Sequence, residues 1–197
     1  MRGDGDGWVV SHTGTPYWGR HGAAGLLLRA PQPDGTPAVL LQHRAPWSHQ
    51  GGTWALPGGA RDSHETAEQA AVREAHEEAG LPAEVVHVRA TVVTAEVSGP
   101  GGAVWTYTTV VADAPHLLDT VPNRESSELR WVAEDEVIGL PLHPGFADSW
   151  DSLRITSTLS PDDHDDCLQP LPHTVEITSG VFAWCRAEIS RQQPAPH

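Results

Sequence analysis

Three glutamates carry the strongest chemical signal in this sequence. Glu74, Glu77 and Glu78 stand at i, i+3 and i+4, a spacing that puts all three side chains on one face of an α-helix. Carboxylates held together repel one another. They suit a hard divalent cation that takes oxygen ligands, and magnesium is the usual choice beside phosphate. Arg73 is placed to orient one of the glutamates or to offset its charge, while Gly58 and Gly59 permit a tight turn and close backbone approach before the helix. On the glutamates alone, a solvated acidic helix face is the competing reading.

The helix that must carry them is well marked. Thr66 followed by Gln69 makes a capping box. The stretch Ala67–Ala79 holds neither Gly nor Pro, Gly80 suits the position past the helix end, and Pro82 prevents continuation. Upstream, the apolar runs 24–28 and 38–41 flank the turn-forming segment 31–37, which predicts a strand, a turn and a strand. Downstream, strands are expected over 84–97, 103–112 and 129–132. A helix is expected to begin within 135–139, and another to run over 147–155. Residues 1–19 read as an irregular leader with a short strand at 8–10. The main domain is expected over 20–157 and a C-terminal extension over 158–197. Residues 173–190 fit a hairpin or a short terminal helix equally, because periodicity does not decide between them.

Composition narrows the function. The 197 residues fit one domain with extensions. The basic residues are all Arg, and 12 of them against 26 acids give a formal net charge of −14. A basic nucleic-acid-gripping face is therefore not expected, whereas a metal can bridge an acidic protein to a small phosphorylated substrate. No apolar run approaches the roughly 18 residues of a membrane span. The first seven residues carry no apolar stretch, so a secretory signal is not expected and a cytoplasmic location is. Two cysteines, Cys167 and Cys185, are too few for a disulfide framework. With His173 and the Asp-rich run 162–166 they could be read as a second metal site. They lack paired ligand spacing, however, and an acidic solvated loop followed by an ordinary packed segment is the preferred reading.

The wider spacing around the glutamates is more specific. Gly59, five residues, Glu65, seven residues, then Arg73-Glu74-Ala75-His76-Glu77-Glu78-Ala79-Gly80-Leu81 resembles the Nudix box. Every fixed Gly, Glu and Arg of that signature is present. The departure is Ala75, where the family usually carries a larger aliphatic residue, read here as a packing variation. Trp54–Gly59, Glu128–Val132 and Leu140–Leu142 also resemble Nudix segments, so the resemblance covers roughly 22–156.

The resemblance implies an α/β fold, an α/β/α sandwich around a mixed sheet, and hydrolysis of a nucleoside diphosphate linked to another moiety. It implies Mg2+ as cofactor, with Mn2+ as the alternative. The metal ligands it implies are Glu74 and Glu78 first, then Glu77, with Gly59 and nearby backbone carbonyls in reach. Glu65 and Arg73 support the site, and Arg73 is counted with Glu77, Glu78 and Glu125 in the catalytic set. Glu125 is the candidate distant-loop ligand or general base, with Glu128 as competitor; both could instead be surface acids. Arg44, at the end of a predicted strand, is the candidate phosphate partner, since a guanidinium suits phosphate, although a surface arginine is the plain alternative. Trp47, Trp54, Trp105 and Tyr107 could stack on a nucleobase or simply fill the core. Trp105 and Tyr107 are two apart and share a strand face. His143 is a candidate for the base pocket.

Markers outside the box point to a substrate branch. The Pro that the ADP-ribose branch tends to carry is absent from 94–98, and Ser98 and Gly99 occupy the region of the dinucleoside-polyphosphate Tyr. The longer pattern of the coenzyme A branch is not seen. These absences favour a nucleoside triphosphate, oxidised or otherwise noncanonical, cleaved to monophosphate and pyrophosphate. An ADP-ribose or nucleotide-sugar pyrophosphatase is the runner-up. A non-catalytic nucleotide sensor is the alternative of another class, although such modules usually lose box glutamates. The partner expected is a small-molecule nucleotide, with neither nucleic acid nor membrane. Nudix proteins are often dimers, so a homodimer is compatible with the resemblance.

Overall fold

The computed structural model describes residues 3–157. The expectations for the C-terminal extension, including the hairpin or helix over 173–190 and the Cys167, His173 and Cys185 grouping, lie outside the described residues.

Elements follow in the order β1 (Trp8–Val10), β2 (Pro16–Trp18), β3 (Ala23–Pro31), β4 (Pro37–Arg44), β5 (Trp54–Ala55), β6 (Gly58–Ala60), α1 (Ala67–Ala79), β7 (His87–Ser98), β8 (Val104–Asp113), β9 (Ser126–Ala133) and α2 (Pro144–Ser157). The helix expected from 135 is a single 3-10 turn, Val137–Gly139. Gly139 and Pro141 leave no room to extend it. The leader is not irregular: β1 and β2 form an antiparallel hairpin in which Trp8 faces Trp18.

The main sheet is mixed. β3 and β8 run parallel from Ala23↔Tyr107 to Arg29↔Asp113, and the remaining pairings are antiparallel. β3 and β4 pair only near their turn, at Arg29↔Val39 to Pro31↔Pro37, and then part. The segment 54–60 fills the opening: β5 pairs with β4 and β6 with β3. Helix α1 covers one face through Ala70, Ala71, Ala75 and Ala79 against Leu26, Leu28, Leu40 and Val110. Helix α2 covers the other through Phe146, Trp150 and Leu153 against Leu27, Leu41 and Val111. This is the expected sandwich. Among the described residues no helix is long and apolar enough to cross a membrane.

Candidate active site

Helix α1 forms where the sequence places it because its ends are satisfied locally. Thr66 accepts from the Gln69 N–H while the Gln69 side chain accepts from the Thr66 N–H, and Gly80 adopts a left-handed φ of 70°. Such a cap is worth about 1 kcal/mol. Orphan carbonyls remain in the last turn, and a distant loop satisfies two of them. The Val121 N–H donates to the Ala79 carbonyl at 2.9 Å, and the Asn123 N–H donates to the Glu78 carbonyl at 3.2 Å. That loop is then bent back on itself, since the Glu125 N–H donates to Asn123 Oδ1 at 2.7 Å. The Glu125 carbonyl also accepts from the Ala45 N–H at 2.9 Å. Glu125 is thereby held beside the glutamate face of α1.

The parting of β3 from β4 brings backbone against this face. The Gly58 N–H donates to Glu78 Oε2 at 2.8 Å. A Cβ on Gly58 would lie 2.4 Å from the Ala24 carbonyl oxygen, and one on Gly59 would meet the Glu74 carboxylate at 2.6–2.8 Å. Neither position accepts a side chain without moving its neighbours, so the glycines let the box loop press against the carboxylates.

The electrostatics are those of an anionic pocket. Glu78 is only 4% exposed, and burial pushes its carboxyl up to about 8. The charges of Glu74 and Glu125 push the same way, while the Gly58 N–H and the Gln42 amide oppose. Glu74 is also raised, by burial first, with Glu77 and Glu125 adding to the shift and Arg73 working against it. Glu77 stands at the open edge, its side chain 58% exposed and 3.7 Å from Arg73. Buried carboxylates held ionised this close need a compensating charge. The hard-oxygen donor set of Glu74, Glu78, Glu77 and Glu125, with Gly59 backbone alongside, fits a divalent cation.

Arg73 is already committed. Its Nε and Nη2 donate to the two Glu65 oxygens at 2.7 and 2.9 Å, Nη2 also to the Ala60 carbonyl, and Nη1 to Glu74 at 2.8 Å. Glu65 is held below its usual range chiefly by Arg73, and it accepts the Asp62 N–H. Arg73 is thus a clamp joining the loop, the helix and Glu74, and it orients the acids.

Arg44 closes β4. Its Nε donates to the His49 carbonyl at 3.0 Å, and its charge acts on both Tyr107 and His143. Tyr107 in turn feels Glu78 and Glu74, and burial raises its phenol. Tyr107 is thus within electrostatic reach of both Arg44 and the acids. His143 caps α2: its carbonyl accepts from the Ala147 N–H and its Nδ1 from the Gly145 N–H. Burial, then the charges of Arg44 and His49, pull its pKa down to about 4, so the ring is neutral and Nδ1 is free to accept.

Other candidates fall elsewhere. Trp54 is 5% exposed and lies in the α2-side core. It stacks on His43 at 4.8 Å under the Arg130 guanidinium, so it packs the fold and offers no face to a ligand. Trp47 is exposed in the loop between β4 and β5. Glu128 lies opposite His43 on β9 and pairs with Arg130. Trp105 donates its indole N–H to the Trp18 carbonyl at 3.1 Å. Sequence reasoning missed Asn123 and Gln42. Gln42 is buried and donates to Ser126 Oγ at 2.8 Å; its one sequence signal is a polar residue closing the apolar run Ala38–Leu41.

Comparison with known proteins gives the family. The family model described as NUDIX domain matches residues 19–154. A protein of Mycobacterium tuberculosis named "Putative 8-oxo-dGTP diphosphatase 3" is 70% identical over 197 residues, covering all of this chain and 91% of the relative. A "Nucleoside triphosphate pyrophosphatase/Nudix hydrolase fusion protein" of Bifidobacterium longum is 40% identical over 151 residues, 74% of this chain and 30% of the relative. The crystal structure of a Nudix hydrolase from M. smegmatis, RenU, superposes with a TM-score of 0.77 at 74% identity, covering 79% of this chain and 98% of that one.

Proposed function

Since this chain belongs to the Nudix family, we propose that it is a magnesium-dependent pyrophosphohydrolase of an oxidised or otherwise noncanonical nucleoside triphosphate. The products are the monophosphate and pyrophosphate. The observation that carries this reading is the buried Glu78 held by the Gly58 N–H beside Glu74, with the charges of both Glu74 and Glu125 acting on it. The name of the mycobacterial relative supports 8-oxo-dGTP as the substrate to try first.

Glu74 and Glu78, with Glu77 and the Gly59 backbone, would hold the cation, Mg2+ or in its place Mn2+, which when bound would supply charge neutralisation at the phosphate oxygens. Arg44 presents its free guanidinium nitrogens to the phosphates and balances charge that the acids would otherwise repel. Glu125 accepts the proton of the attacking water. The water oxygen bonds to the phosphorus on one side of the α–β bridge, that phosphorus loses its bond to the bridging oxygen, and the phosphate on the other side leaves with the bonding pair, giving monophosphate and pyrophosphate whichever phosphorus is attacked. Arg73 keeps Glu74 and Glu65 in place and does not touch substrate. The protein works in the cytoplasm, where its nucleotide substrates are made.

The test is a magnesium-dependent hydrolysis panel of normal and oxidised nucleoside triphosphates, ADP-ribose and nucleotide sugars, with products separated by chromatography. Monophosphate plus pyrophosphate is expected from a triphosphate. Glu78→Gln should lower kcat on the order of 10³-fold. Cleavage of ADP-ribose in preference would move the chain to the runner-up reading, and binding without turnover would make it a sensor.

A further inference from the structure

We propose that the N-terminal hairpin, all of which precedes the residues matched to the family, forms the nucleobase wall of the site, with Trp8 as the stacking ring and Trp18 behind it. The inference rests on the nucleotide reading above and adds a specificity-determining element to it.

The glutamates and Arg44 take the phosphates, so the base lies beyond Arg44. What lies there is a line of rings. Arg44 holds the His49 carbonyl at 3.0 Å, the His49 and His143 rings are 6.4 Å apart, and His49 is 5.8 Å from Trp8. Trp8 meets Trp18 edge to face at 5.1 Å. Aromatic planes of this kind stack on any base.

Exposure points the same way. Trp8 is 52% and Trp18 40% exposed, and adjacent open indoles mark a binding surface more often than an ordinary one. They are not loose. The Gly19 N–H donates to the Gly7 carbonyl and the Arg20 N–H to the Gly5 carbonyl, each at 2.8 Å. The Gly5 N–H is held by Asp62 at 2.8 Å, and Asp4 accepts the Ser63 N–H at 2.9 Å. The Trp105 indole pins the Trp18 carbonyl. A wall fixed beforehand loses little entropy when a base settles on it.

The deciding experiment is calorimetric titration of the full-length protein, in magnesium, with dGMP and separately with pyrophosphate. Trp8→Ala should weaken dGMP about tenfold, the scale of one base–aromatic stack, and leave pyrophosphate within about twofold. Trp8→Phe should recover most of the loss. In turnover, Trp8→Ala should raise KM with kcat near wild type. Unchanged dGMP affinity overturns the proposal. So does an equal loss for both probes, which would make the hairpin a brace for the phosphate site. A change of oligomeric state on sedimentation with dGMP affinity intact would assign the indoles to a subunit contact instead. Because the titration needs no turnover, failure of the triphosphatase reading shows in the hydrolysis panel and failure of this one in the dGMP arm.

Discussion

Helix α1 lies on one face of the sheet through four alanines, whereas α2 lies on the other through Phe146, Trp150 and Leu153. The α2 face is an ordinary core of large rings, with Phe146 and Trp150 meeting edge to face at 5.5 Å. The α1 face is thin, since alanine methyls let the helix axis come close. That closeness draws the Glu74 and Glu78 carboxylates against the backbone of the box loop. Stability and chemistry are thus divided between the faces. The side with bulk is packed by large rings, and the side without it carries the buried carboxylates.

Three perturbations test this division. The largest effect should come from Trp150→Ala. Emptying that site should cost about 3–5 kcal/mol in denaturant unfolding, with kcat of the folded protein unchanged. A fall in kcat to a few per cent, at a temperature where the variant is folded, would show that the faces are coupled. Next is Ala75→Leu, which introduces the bulk that the family usually has there. Ala75 is fully buried against the sheet, so overpacking should cost about 1–3 kcal/mol. Because α1 must move to admit the side chain, kcat should fall as well, on the order of 10²-fold per ångström of misplacement. Wild-type kcat in this variant would mean that the alanines are not what seats the glutamates.

The third test concerns pH. The Glu78 carboxyl goes from 4.5 in a free chain to about 8 in the fold without a cation. The folded state therefore binds the proton more tightly, and this contribution to stability is full below pH 4.5 and lost as the pH rises towards 8. In chelator, Tm should fall by roughly ten degrees from pH 5 to pH 8. Magnesium should reverse the fall, and Glu78→Gln should flatten the profile. A Tm that rises over this interval in the wild type would contradict the burial of an uncompensated carboxyl.

Much of the active face was legible because its signals are local. The capping box, Gly80 and the glutamate spacing each act within one or two helical turns, and α1 begins and ends where they say. Glu125 could be named only through the family resemblance, for what seats it is long-range. Asn123 bonds the end of α1, and Ala45 bonds the Glu125 carbonyl. Glu128, three residues on, is already on a strand beside Arg130. Trp54 looked available to a base because a two-residue strand has no periodicity to read, yet it stacks in the core between His43 and Arg130. The leader hairpin was half seen. Its second strand begins at Pro16 and follows a Thr-Gly-Thr turn, and much of its support comes from outside itself: the His12 N–H on the Ser98 carbonyl and the Trp105 indole on Trp18.

The strap that Asp4 and Gly5 lay across Ser63 and Asp62 has a practical consequence. The family's borders begin at residue 19, and an expression fragment cut there would look complete. It would strip the acceptor from the Ser63 N–H and a donor from the side chain of Asp62, the residue whose own N–H steadies Glu65. The working unit of this hydrolase therefore starts fifteen residues earlier than its family boundary, at the glycines and aspartates of its first line of sequence.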